Sequence, residues 1–143
     1  MRLADLMQTD VKTITDGRPA EEAWELMKLH GFHHLVVTQG TQVVGVISDG
    51  DLRNVRPQLR RELSVASLMN RDVVTAKPHT LVREAANLMR GRAVGCLPVM
   101  EGADLVGIVT TTDLLELIAR SGLDRSHLAP QVRQTARFPR ANK

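Results

Sequence analysis

The chain has 143 residues, 43% hydrophobic and 24% charged, enough apolar material to bury one good core or two small ones packed together, which excludes disorder as its dominant state. No stretch approaches the roughly 18 consecutive apolar residues of a membrane span, Asp5 and Asp10 stand where a secretory signal would be apolar, and the single Cys96 cannot close an internal disulfide, so a soluble, cytoplasmic protein is expected. The net charge of +3 comes from the C-terminal end, where five basic residues and no acid follow from Arg125; residues 1–124 hold 14 basic against 16 acidic side chains, and with only 2% aromatics nucleic-acid binding is not expected outside that end.

In chain order, a short edge strand is predicted at Val11–Ile14. Pro19 suits the first turn of a helix whose apolar stripe is Ala23, Leu26 and Met27 and whose stop is Gly31. Strands Leu35–Val37 and Val43–Ile47 follow, joined through Gln39-Gly40-Thr41, and a second helix starts after Ser48 with Leu52 and Val55 on its inner side. The same order then returns. An edge strand at Val73–Ala76 precedes a helix with Thr80 as N-cap, whose Leu81, Ala85, Leu88 and Met89 lie at i, i+4, i+7 and i+8 and which ends near Gly91. Strands Leu97–Val99 and Leu105–Val109 turn through Glu101-Gly102-Ala103, and a last helix after Thr110 carries Leu114, Leu115 and Ile118. The basic stretch beyond, with little periodicity from Pro130 to Lys143, reads as poorly ordered.

The return is a duplication. A shift of 62 positions lays residues 3–54 on 65–116 without a gap, about 17 of the 52 pairs being identical. Leu6-Met7 falls on Leu68-Met69, Thr13 on Thr75, Leu26-Met27 on Leu88-Met89, Gly45 on Gly107 and Asp51-Leu52 on Asp113-Leu114. The expected fold is α/β (α+β): two tandem β-α-β-β-α repeats about a pseudo-two-fold axis, residues 1–62 and 63–122, followed by the tail 123–143.

This order of elements, with Leu35-Val36-Val37, Gly45-Val46-Ile47-Ser48-Asp49-Gly50-Asp51-Leu52 and Gly107-Ile108-Val109-Thr110-Thr111-Thr112-Asp113-Leu114, resembles the cystathionine-β-synthase-type (CBS) domain family over roughly residues 1–120. The resemblance implies a pair of repeats, a Bateman module, that dimerises into a flat disc and holds adenosyl ligands in clefts between repeats. The run from Ser48 to Arg53 is similar to CBS pairs attached to bacterial sugar-phosphate isomerases; no isomerase domain accompanies it in this sequence, so a stand-alone module is expected.

Physical chemistry gives the Ser/Thr-x-x-Asp motif two readings. A helix start offers amide hydrogens and a positive dipole end to a phosphate, Ser48 or Thr110 adds a hydroxyl, Asp51 or Asp113 can accept ribose hydroxyls, and Val46 or Ile108 supplies an apolar slot for adenine. The same spacing is also a capping box that satisfies backbone donors with no ligand at all. The resemblance implies the nucleotide roles, in clefts that mix both repeats: Thr13 and Arg18 with Ile108, Thr110 and Asp113 in one, and Val46, Ser48 and Asp51 with Thr75, His79 and Leu97 in the other. Thr13 and Thr75 would offer backbone contacts to the adenine edge, and His33 is expected beside a phosphate. AMP, ADP or ATP is the implied ligand, and no cofactor is required.

Other features point elsewhere. His30, His33 and His34 cluster, and His34 aligns with Cys96, but no further ligands complete a metal set. Asp49-Gly50-Asp51 resembles the start of a calcium loop, yet the twelfth position from Asp49 is Arg60 rather than Glu. Trp24 and the repeat-equivalent Met7, Met27, Met69 and Met89 read as packing, and Arg56, Arg60 and Arg61 as a solvated helix face or a partner surface. With no nucleophile–base pair and no glycine-rich phosphate loop, catalysis is not expected. The expected role is a homodimeric ligand sensor read by a regulated partner protein, the alternative a ligand-free structural dimerisation module.

Overall fold

The computed structural model describes residues 1–121, so the predicted tail lies outside the described residues. Residues 1–113 form one compact unit; the remainder of the last helix belongs to a second. The elements are a 3-10 turn at Leu3–Asp5, β1 Thr13–Thr15, α1 Ala20–His30, β2 His34–Gln39, β3 Gln42–Ser48, α2 Asp49–Arg53, α3 Pro57–Glu62, α4 Val65–Leu68, α5 Val82–Arg92, β4 Cys96–Glu101, β5 Asp104–Thr110 and α6 Thr111–Ser121. The turn at Leu3, α3 and α4 are additions to the sequence reading, each too short to show a helical period.

α1 starts after Pro19 and stops at Gly31, which takes the left-handed φ of 74° that a residue lacking Cβ adopts freely. Its repeat equivalent, Ala93, ends α5 at φ 55°, which adds Arg92 to the predicted span and accepts strain for an L-residue. Leu81, rather than Thr80, is the N-cap of α5; the Thr80 hydroxyl instead accepts the Lys77 amide at 3.0 Å, while Glu84 accepts the Leu81 amide at 3.0 Å.

Strands β2 and β3 pair antiparallel, as do β4 and β5, with the register shifting at the equivalent positions Val37/Thr38 and Val99/Met100. The edge strand differs between repeats. β1 lies parallel to β2, with the Val36 amide donating to the Lys12 carbonyl at 3.4 Å. In the second repeat Pro98 stands where Val36 is and has no amide hydrogen, so the predicted strand at Val73–Ala76 is reduced to a single bridge between Ala76 and Val99.

The repeats exchange their leading segments. The amide of Leu3 donates to the Thr80 carbonyl at 2.8 Å, that of Ala4 to Pro78 at 2.9 Å, and Gln8 bridges Ile108 in both directions. The counterparts 62 residues on mirror this: Val65 donates to Arg18 at 2.8 Å, Ala66 to Asp16 at 2.9 Å, and Asn70 bridges Val46. Each incoming segment slides a methionine over a strand glycine. A Cβ on Gly45 would lie 2.6 Å from Met69 Sδ and 3.0 Å from the Asn70 carbonyl, and one on Gly107 would lie 2.6 Å from Met7 Sδ and 3.1 Å from the Gln8 carbonyl.

Alternation along β2 divides two cores. Leu35 and Val37 face Ile14, Ala23, Met27, Ile47, Leu52, Val65 and Met69, whereas Val36 faces the other sheet, packing with Cys96 and Ile108 and flanked by Val11, Val43, Val46 and Leu105. The expectation that Arg60 sits on a solvated face is corrected. Its side chain is buried, its Nε donates to Glu21 at 2.8 Å, its Nη1 to the Val55 carbonyl at 2.8 Å, and its guanidinium stacks 4.6 Å from the Trp24 ring. The α2 chain end has carbonyls to satisfy, and a planar five-donor head does so while covering an indole.

Candidate functional site

Both Ser/Thr-x-x-Asp motifs close as capping boxes. The Ser48 amide donates to Asp51 Oδ2 at 2.9 Å and the Asp51 amide to Ser48 Oγ at 3.2 Å; at the other helix the Thr110 amide donates to Asp113 Oδ2 at 2.8 Å and the Asp113 amide to Thr110 Oγ1 at 3.3 Å. In each repeat, then, one carboxylate oxygen belongs to the backbone. What the second oxygen does separates the two.

Asp51 is exposed, and its Oδ1 has no hydrogen-bond partner among the described residues. With Val46 and Ser48 it lines a cavity of about 180 Å³ whose far side is Asn70, Asp72, Val73, Val74, Ala93, Val94, Gly95 and Cys96, contributed by the second repeat. His34 lines it too. Gly95 admits that imidazole closely, since a Cβ there would come within 2.9 Å of His34 Nε2. Burial holds the His34 pKa below its ordinary value, with His33 acting in the same direction and Asp49 and Asp51 opposing it, so the ring is neutral near pH 7. Burial also pushes the Cys96 thiol up to about 12, leaving it an apolar wall rather than a nucleophile.

Of the other residues expected at this cleft, Thr75 lines a separate, broader groove with Thr41, Lys77 and Met100, Leu97 is wholly buried, and exposed His79 offers its carbonyl to Arg2 Nη1 at 2.7 Å. His33 is exposed, its Nδ1 2.9 Å from Asp49 Oδ2. Burial would raise the Asp49 carboxyl, but the bond to His33 and the charge of Arg53 outweigh it and hold the pKa below the ordinary range.

Around the second motif, Asp113 is only 7% exposed and its Oδ1 accepts from Gln8 Nε2 at 2.8 Å. Ile108 is buried in the inter-sheet cluster, Thr110 half-buried, and Thr13 exposed on β1 opposite Val36. Arg18 turns to Glu22, pairing with Oε1 at 2.6 Å. Sequence reasoning passed over Gln8 and Asn70. The available signal was their place after the repeat-equivalent Met7 and Met69; that each arrives beside the opposite repeat's motif, Gln8 bonding Asp113 and Asn70 bridging Val46, depends on the segment exchange.

The sequence profile of the CBS domain matches residues 3–57 and again 65–120. The chain belongs to the CBS-domain family. As a pair of CBS repeats it is of a kind that serves generally as a regulatory module and commonly dimerises. It is 30% identical over 112 residues to the CBS domain-containing protein YhcV of Bacillus subtilis (strain 168), covering 77% of this chain and 80% of that one. It is also 26% identical over 122 residues to a homoserine O-acetyltransferase of Methanohalophilus mahii, covering 84% of this chain but only 25% of the enzyme's length. The fold is that of the CBS domain pair of protein MJ0100, crystallised in complex with 5′-methylthioadenosine and S-adenosyl-L-methionine (TM-score 0.77, 24% identity, 85% of this chain and 98% of that one). Among the described residues no helix is long and apolar enough to cross a membrane.

Proposed function

We propose that this CBS pair is a non-catalytic cytoplasmic sensor, built of repeats 1–62 and 63–122, that binds an adenosyl ligand in the cleft of Val46, Ser48 and Asp51 and passes its occupancy to a partner protein. The observation that carries this reading is the exposed Asp51, one oxygen engaged by the Ser48 amide and the other free among the described residues, at the mouth of a cavity walled by Val46, Val73, Val74 and Val94. A carboxylate oxygen accepts ribose hydroxyls, and the valines form a slot for a flat base. The adenosyl complexes of the MJ0100 pair support the ligand class.

Charge ranks the candidates. Among the described residues Asp51 and Asp72 line the cavity and no Lys or Arg does; Asp72 is paired with Arg92 at 3.2 Å, which leaves Asp51 as the charge without an ion-pair partner among those residues. Adenosine, methylthioadenosine and cationic S-adenosylmethionine therefore rank above AMP, ADP and ATP, whose phosphates would meet a negative wall. Ligand entry bridges the two repeats, so occupancy biases their relative orientation, which a partner can read. The sensor is taken to work as a homodimer, an assembly common among CBS pairs.

Calorimetric titration with adenosine, AMP, ADP, ATP, NADH and S-adenosylmethionine tests this. At least one ligand is expected to bind, and Asp51→Asn, which keeps a cap oxygen but turns the free acceptor into a donor, is expected to weaken it at least tenfold. No heat from any of them would leave the structural dimerisation reading.

A further inference from the structure

Resting on that reading, we infer that the two Ser/Thr-x-x-Asp positions are not equivalent: Gln8 stands on Asp113 where a ligand hydroxyl would stand and closes the cleft that the repeat relation would place there, so the Asp51 cavity fills first. The capping bond takes Oδ2 of the aspartate in both repeats, so Oδ1 is the oxygen left to a ligand. At Asp113 that oxygen receives Gln8 Nε2 at 2.8 Å, and the carboxylate is 7% exposed. A ribose hydroxyl and the glutamine amide are both neutral donors to the same lone pair, so they compete.

The pseudo-symmetric position explains why only one cleft is blocked. Gln8 and Asn70 enter by the same backbone bridges, to Ile108 and Val46 respectively. Asparagine is one methylene shorter. Its Oδ1 is spent locally on the Asp72 amide at 3.0 Å, and among the described residues it makes no bond to Asp51. Gln8 is an exposed residue, so it can swing out without dismantling the core. The Asp113 cleft is thus held in reserve. Breaking one amide–carboxylate bond lowers its affinity by roughly 10- to 100-fold relative to an unblocked cleft.

The test is calorimetry on the full chain with adenosine and S-adenosylmethionine as probes, comparing wild type with Gln8→Asn, which copies the second repeat, and Gln8→Ala. Wild type is expected to show one tight equivalent per chain, weakened at least tenfold in Asp51→Asn. Gln8→Asn is expected to add a second equivalent at least tenfold tighter than any wild-type second phase, and the double variant Gln8→Asn/Asp51→Asn to keep that one alone. Two equal sites in wild type, or a Gln8 variant that folds and gains nothing, overturns this inference while leaving the sensor reading intact. Silence of the wild type and of every Gln8 variant toward these probes and toward AMP, ADP, ATP and NADH overturns both.

Discussion

The same four-residue motif stands at the head of α2 and of α6, closes the same capping box, and yields two different carboxylates. Asp51 faces solvent with an oxygen to spare; Asp113 is buried with both oxygens engaged. One methylene, the difference between Gln8 and Asn70, accounts for the contrast, because the backbones that deliver the two side chains are paired alike. Duplication copied the scaffold, and side-chain reach then set which copy remained open.

The largest effect that would sharpen this contrast is on stability without ligand. Asp113→Ala leaves the half-buried Thr110 amide without its cap and removes the partner of Gln8, and is expected to cost about 2–3 kcal/mol, whereas Asp51→Ala loses an exposed cap worth about 1 kcal/mol. Urea denaturation measures both, and equal losses would make the carboxylates equivalent after all. The segment exchange, by contrast, is symmetric. Gly45→Ala and Gly107→Ala should each cost about 1–3 kcal/mol, since a backbone carbonyl and a methionine sulfur occupy the space of the added methyl; a loss at only one of them would break the mirror relation. The smallest effect concerns the repeat-equivalent ends of α1 and α5. Gly31→Ala is expected to lower stability by about 1 kcal/mol and Ala93→Gly to raise it by up to about 1 kcal/mol, because both positions hold a left-handed backbone and only one has the residue suited to it. Thermal melts of the two variants moving in the same direction would contradict this.

Much of the fold was legible because it depends on local chemistry repeated twice. Apolar stripes marked α1 and α5, Gly40 and Gly102 marked hairpin turns that take φ 63° and 62°, and Pro19 and Gly31 bounded a helix. Arg60 was misread because a charged residue on a short helix looks solvated until Trp24 and the carbonyls of Leu52 and Val55 are brought around it.

By itself the sequence determined the duplication, the family and the positions of the two Ser/Thr-x-x-Asp motifs, since these rest on spacing along one chain. Tertiary structure alone decided which aspartate is available. That outcome turns on residues 1–8 crossing to the second repeat while 63–70 cross to the first, contacts between positions about a hundred residues apart in one case, which no local pattern encodes.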